Sequence, residues 1–157
     1  MKYIRLSKEQ LEELHQEFIN FLAAQSITAE EWEDIKKNKP EVAEEELDLF
    51  SDLIWEGVLG KAEYLEHISS NQLFLFQITD QTMNLIGIKI DNKAIDITTR
   101  EGYNWLQNNL MHDSVSLYTS SKNISEDRNN DVFVLIRQGA VITKGDLYRF
   151  FAKHLEK

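Results

Sequence analysis

Behind Ser7, the apolar positions Leu11, Leu14, Phe18, Phe21 and Leu22 recur at helical spacing, which predicts a helix to about Gln25 with that face buried. Ser7 with Gln10 forms a capping pattern at its start, in which side chain and backbone exchange hydrogen bonds. Thr28 with Glu31 repeats the pattern and opens a short helix through Trp32 and Ile35. Lys36, Lys37 and Lys39 then suit the unpaired carbonyls of its C-terminus. Pro40, the only proline, starts a third helix at the position where its missing N–H costs nothing. That helix should reach Val58 or Leu59, ahead of Gly60.

The texture changes after Lys61. Stretches 62–69, 72–79 and 83–90 are short runs rich in Leu, Ile and Phe, separated by Ser70-Asn71 and Asp80-Gln81-Thr82, and they read as a β-meander. Residues 95–98 are expected to add a short strand, and Thr98 with Glu101 to cap a helix holding Trp105, Leu106 and Leu110. A strand at 115–119 and a polar loop at 120–130 follow. Stretch 131–138 carries both signals. Its Val-Phe-Val-Leu-Ile run favours a strand, while Asp131 as cap and Gly139 past the end favour a helix, the preferred reading. Thr143 with Asp146 should cap the last helix, burying Leu147, Phe150, Phe151 and Leu155.

No repeat or long linker divides the chain, so the expectation is one α+β domain over 1–157. It is helical and acidic over 1–60, mostly strands with one helix over 61–119, and helical over 131–157. The N-terminal helices should pack on a small, mainly antiparallel β-meander closed by the C-terminal helices. At 157 residues, folding buries roughly 68–70% of the extended surface, and no disulfide or metal staple is required.

Charge is unevenly placed. Residues 1–60 carry 6 Lys/Arg against 15 Asp/Glu, whereas residues 61–157 carry 11 against 12. That balance opposes direct nucleic-acid binding, which relies on basic patches, and fits a basic protein partner or plain solubility. There is no cysteine, which excludes thiol catalysis and cysteine-ligated metal. The N-terminus shows no apolar signal core and no run long enough to span a bilayer, so the expected setting is cytoplasmic, away from membranes.

Three stretches carry a resemblance: Leu6-Ser7-Lys8-Glu9-Gln10, Lys39-Pro40-Glu41-Val42-Ala43-Glu44-Glu45-Glu46 continuing through Phe50-Ser51-Asp52-Leu53-Ile54-Trp55-Glu56, and Gly139-Ala140-Val141-Ile142-Thr143-Lys144-Gly145-Asp146-Leu147. In these the chain resembles an uncharacterised family of small proteins from Bacteroidota bacteria. The resemblance implies a bacterial cytoplasmic protein and supplies no activity, cofactor or catalytic residue.

The third helix is the most distinctive feature. At about 100° per residue, Ala43, Leu47, Phe50, Ile54 and Val58 centre one face, widened by Val42, Leu49 and Leu53. Glu41, Glu45, Asp48, Asp52 and Glu56 fall opposite, with Trp55 at the border. Four successive like-charge neighbours destabilise an isolated helix by about 1–2 kcal/mol. The bland reading is a solvated surface. The functional one is a docking face for a basic partner, formed by Glu41, Glu45, Asp48, Asp52 and Glu56 with Trp55 as anchor.

The histidines read as structural. Glu12-x-x-His15 is half of a di-iron motif whose second half is missing. His67 falls in a strand, His112 at a helix end and His154 in a last helical turn. His112-Asp113-Ser114 is not a triad, because triad members meet through the fold. No phosphate loop, nucleophile elbow or dinucleotide fingerprint occurs, so no catalytic residue, metal site or cofactor is assigned. The leading expectation is a non-enzymatic interaction or adaptor domain using the acidic helix. The alternatives are a small hydrolase or transferase with unrecognised acid–base residues, and an acidic nucleic-acid mimic.

Overall fold

The computed structural model describes residues 1–155; residues 156 and 157, the end of the expected helical stretch, lie outside the described residues. The chain divides into two compact units, Met1–Val58 and Leu59–Lys157. It is an α+β fold with helices at both ends and a five-stranded antiparallel sheet.

The first unit is helical. Its elements are α1 (Lys8–Glu13), α2 (His15–Ala24), α3 (Ala29–Asn38) and α4 (Pro40–Lys61), whose last turn belongs to the second unit. Ser7 and Gln10 form the full capping box, and the Thr28 hydroxyl accepts the Glu31 N–H. The first helix differs from expectation in being two. Leu14 breaks the ladder with ψ of 23°, and the bend lets Leu11 and Leu14 reach the same cluster as Phe18 and Leu22. That cluster closes on Phe50 and Leu6, with Phe18 edge-on to both Phe50 and Trp32 at 5.1 Å.

In the second unit the strands are β1 (Tyr64–Ile68), β2 (Gln72–Ile78), β3 (Thr82–Ile90), β4 (Val115–Asn123) and β5 (Val141–Thr143), in the order β4-β3-β2-β1-β5. Its helices are α5 (Arg100–Asn108), α6 (Arg128–Arg137) and α7 (Asp146–Leu155). Leu73, Leu75, Ile86 and Ile88 share one sheet face by register, and pack with Leu106 of α5 and Phe151 of α7. Phe74 and Phe76 lie on the other face, half-buried, opposite His67 and Leu65.

Several expectations are corrected here. Residues 95–98 form no strand, with turns at 93–94 and 97–98, because the Asn92 and Asp96 side chains accept the Ala94 and Thr98 N–H groups and compete with strand pairing. The cap of α5 is Thr99, whose hydroxyl accepts the Gly102 N–H, since Thr98 is held by Asp96. Stretch 120–130 is not all loop. Ser120 to Asn123 pair with Leu85 to Thr82, a backbone ladder that needs no apolar side chains, and Asp127 rather than Asp131 caps α6. Stretch 131–138 is helical up to Arg137, with Gly139 at φ +113° just beyond. Thr143 ends β5 and its hydroxyl accepts the Gly145 N–H, ahead of α7.

Candidate functional site

Helix α4 carries the stripe, and its five carboxylates divide into two groups. Glu41 and Glu45 are exposed, whereas Asp48, Asp52 and Glu56 are half-buried beneath the N-terminal residues 1–6. Asp52 accepts the backbone N–H groups of Lys2 at 2.7 Å and Tyr3 at 2.9 Å. Glu56 accepts the Tyr3 hydroxyl at 2.6 Å and the Lys2 ammonium at 3.0 Å. Arg5 bridges Asp48, at 2.8 Å from its Nε, and Glu44. These ties leave a signature in acidity. Burial, followed by the bond to Glu56, pushes the Tyr3 hydroxyl up to about 12. Asp48 and then Glu44 raise the Arg5 guanidinium above its ordinary value.

Residues 1–6 thus occupy, within the same chain, the place of a basic partner on this part of the stripe. The spacing accounts for the fit. Three extended residues from Lys2 to Arg5 span about 10 Å, while eight helical residues from Asp48 to Glu56 rise about 12 Å. Ser51, fully buried, completes the fastening by accepting the Leu6 N–H at 3.0 Å and donating to the Leu47 carbonyl at 2.7 Å. Trp55 is part of it too. Its ring lies 6.4 Å from that of Tyr3 and its Nε1 donates to the Ile4 carbonyl at 3.1 Å.

The apolar side of α4 is also redistributed. Ala43 and Phe50 are buried, but Leu49 and Leu53, expected to widen the covered face, are 57% and 56% exposed, and Val58 is 44% exposed. At about 100° per residue, Val42, Leu49 and Leu53 form one strip. Glu45 and Glu56 border it on one side and Glu46, which accepts from Gln25, on the other. The helix is therefore apolar twice over, once inward and once outward. The sequence assigns no role to Lys2, Arg5 or Ser51, and places Leu49 and Leu53 on the buried face. The matched spacing of Lys2 and Arg5 against the acidic ladder is the signal that could have found the first two.

Of the other candidates, His15 and Glu12 are exposed and stand at the rim of a cleft of about 630 Å³ lined also by Leu11, Phe18, Ile19 and Trp32. His67 packs 6.3 Å from Phe74. The His112 Nδ1 is 2.9 Å from the Ser114 hydroxyl and accepts the Ser114 N–H at 3.1 Å, a local turn clasp rather than a triad. Among the described residues no three His, Cys, Asp or Glu side chains are placed to hold a metal. No described helix is long and apolar enough to cross a membrane.

No curated protein and no solved structure matches the chain. A family of unknown function, DUF6495, matches residues 1–156. With essentially its whole length covered, the chain belongs to the DUF6495 family.

Proposed function

We propose that the N-terminal unit is a protein-interaction module that docks a basic amphipathic helix on the outward face of α4. The observation that carries this reading is the exposure of Leu49 and Leu53, one turn apart, with the exposed carboxylate of Glu45 one turn before Leu49 and that of Glu41 a further turn away. Fully burying a leucine contributes about 1.5–3 kcal/mol, so covering what remains exposed of both is worth about 2–3 kcal/mol. Charge complementarity selects the partner. A second copy would set carboxylates against carboxylates, whereas lysines or arginines flanking an apolar stripe would be attracted. A net charge of −9 over residues 1–60 likewise argues against direct nucleic-acid contact. Asp48, Asp52, Glu56 and Trp55 take part by holding residues 1–6, and Glu41 and Glu45 face the partner. We take the setting to be the bacterial cytoplasm, on the family resemblance and the cysteine-free sequence.

The test uses labelled synthetic amphipathic helices with a common apolar face and lysine-rich or glutamate-rich flanks, measured by fluorescence anisotropy. The lysine-rich peptide should bind, and bind more weakly as salt rises. The Leu49→Ser/Leu53→Ser variant should lose roughly 30- to 150-fold in affinity, from the 2–3 kcal/mol above. Glu41→Lys/Glu45→Lys should weaken binding while leaving residues 1–6 in place. Equal binding of both peptides, or unchanged binding by the leucine variant, refutes the reading. So does concentration-dependent dimerisation that the leucine variant abolishes.

A further inference from the structure

A second site lies in the other unit. The end of α5, the loop to β4, β4 itself and α7 enclose a cleft of about 680 Å³, within the range of small-molecule sites. His112 and His154, 42 residues apart in sequence, both line it, with Asn109, Leu117 and Phe151. Among the described residues its lining holds no carboxylate, lysine or arginine.

The backbone sets the two imidazoles in opposite tautomers. His112 Nδ1 accepts the Ser114 N–H at 3.1 Å, so it carries no proton and Nε2 is the N–H donor of the neutral ring. His154 Nδ1 lies 2.8 Å from the Phe150 carbonyl, which only accepts, so Nδ1 holds a proton and Nε2 is the acceptor of the neutral ring. One cleft therefore offers a donor from one histidine and an acceptor from the other. Asn109, with one amide N–H given to the Trp105 carbonyl at 2.8 Å, adds its carbonyl oxygen and its second N–H. The same tautomer argues against a two-histidine metal site. A metal at His112 Nε2 would need the proton moved to Nδ1, with loss of the Ser114 bond.

We propose that this cleft binds an uncharged amide- or lactam-type heterocycle, its donor and acceptor edge on His112 and His154 and its body on Leu117 and Phe151. A charged ligand would lose hydration and meet no lysine, arginine or carboxylate among the described lining residues. The site is independent of the docking face on α4.

The experiment is a two-dimensional ¹H–¹⁵N NMR titration with nicotinamide and 2-pyridone, and with nicotinate as the charged control. Long-range histidine spectra read the tautomers directly. The expected result is saturable shifts at Asn109, His112, Leu117 and His154 with the neutral probes, and binding of nicotinate at least about tenfold weaker. His112→Phe and His154→Phe each keep an aromatic ring and should each weaken binding about five- to tenfold, one hydrogen bond's worth. Unmoved signals at Leu75 confirm that the sheet is intact in both variants. Absence of saturable shifts with both neutral probes overturns the proposal. So does nicotinate binding as well as nicotinamide, or histidine tautomers reversed from those assigned.

Discussion

Replacing Ser51 with alanine isolates what fastens residues 1–6 to α4. The serine is fully buried, and its Oγ is the acceptor for the Leu6 N–H at 3.0 Å. Removing it leaves the Leu47 carbonyl its helical partner but leaves the Leu6 donor without an acceptor in a buried site. An unsatisfied buried donor costs about 1–3 kcal/mol, against which alanine's better helix propensity returns about 0.5 kcal/mol. The net expectation is a loss of about 0.5–2.5 kcal/mol. In a unit of this size each kcal/mol lowers Tm by about 4–8 °C if the unit unfolds cooperatively by itself. Urea unfolding followed by tryptophan fluorescence measures the loss, because Trp55 donates to the Ile4 carbonyl and reports on the same segment. Hydrogen exchange at the Leu6 amide reads the bond itself. The effect should couple with Asp52→Asn by about 0.5–3 kcal/mol, since both side chains hold one strap. A loss below about 0.5 kcal/mol with the Leu6 amide still protected would refute the reasoning.

Two further outcomes are expected. Arg128 donates to the carbonyls of Leu59 at 3.0 Å and Ala62 at 2.5 Å, closing the last turn of α4 within the second unit. Arg128→Met keeps much of the packing, removes the partner of the Ala62 carbonyl and leaves the Leu59 carbonyl only the Ala62 N–H, so it should cost about 1–3 kcal/mol in thermal or urea unfolding, and an unchanged melt would contradict the capping role. Glu66 is raised above its ordinary value of 4.5, first by burial and then by the Asp146 charge. A carboxyl raised in the fold binds its proton more tightly there than in the unfolded chain, so its contribution to stability falls as pH climbs from 4.5 through the raised value. Glu66→Gln should therefore flatten the dependence of Tm on pH across that window and raise Tm at neutral pH; an unchanged slope would contradict it.

The elements legible in sequence are those whose signals are local. Ser7 and Thr28 announce helices because the groups they cap lie three residues away, and Pro40 because φ is set by its own ring. Strands β1 to β3 show because alternating apolar positions pair with near neighbours. The polar end of β4 does not show, since Ser120 to Asn123 are held by a backbone ladder to Thr82–Leu85 some 38 residues earlier. Three-residue β5 is written nowhere but in its pairing to β1. That His112 and His154 line one cleft is likewise a product of topology. In α4, apolar residues surround much of the circumference, so periodicity alone cannot say which of Leu49, Leu53 or Phe50 is covered. That is decided by α2 and α3 packing on one side of it.

This redistribution changes what the negative charge of the first unit does. Of the six cations in residues 1–60, Lys2 and Arg5 are held against Glu56, Asp48 and Glu44, and Lys36 pairs with Glu33. The half of the stripe nearest Trp55 is thereby partly compensated, with Lys2 and Arg5 set against Asp48, Asp52 and Glu56, and it is half-buried. Glu41 and Glu45 keep their charge in solvent, Glu45 one turn before the exposed Leu49 and Glu41 one turn further towards the start of the helix. An exposed apolar strip by itself invites indiscriminate association. Flanked by like charges it resists its own copy, and a diffusing basic helix is oriented before contact. Salt should therefore slow the association of the lysine-rich peptide, while the leucine substitutions should speed its release.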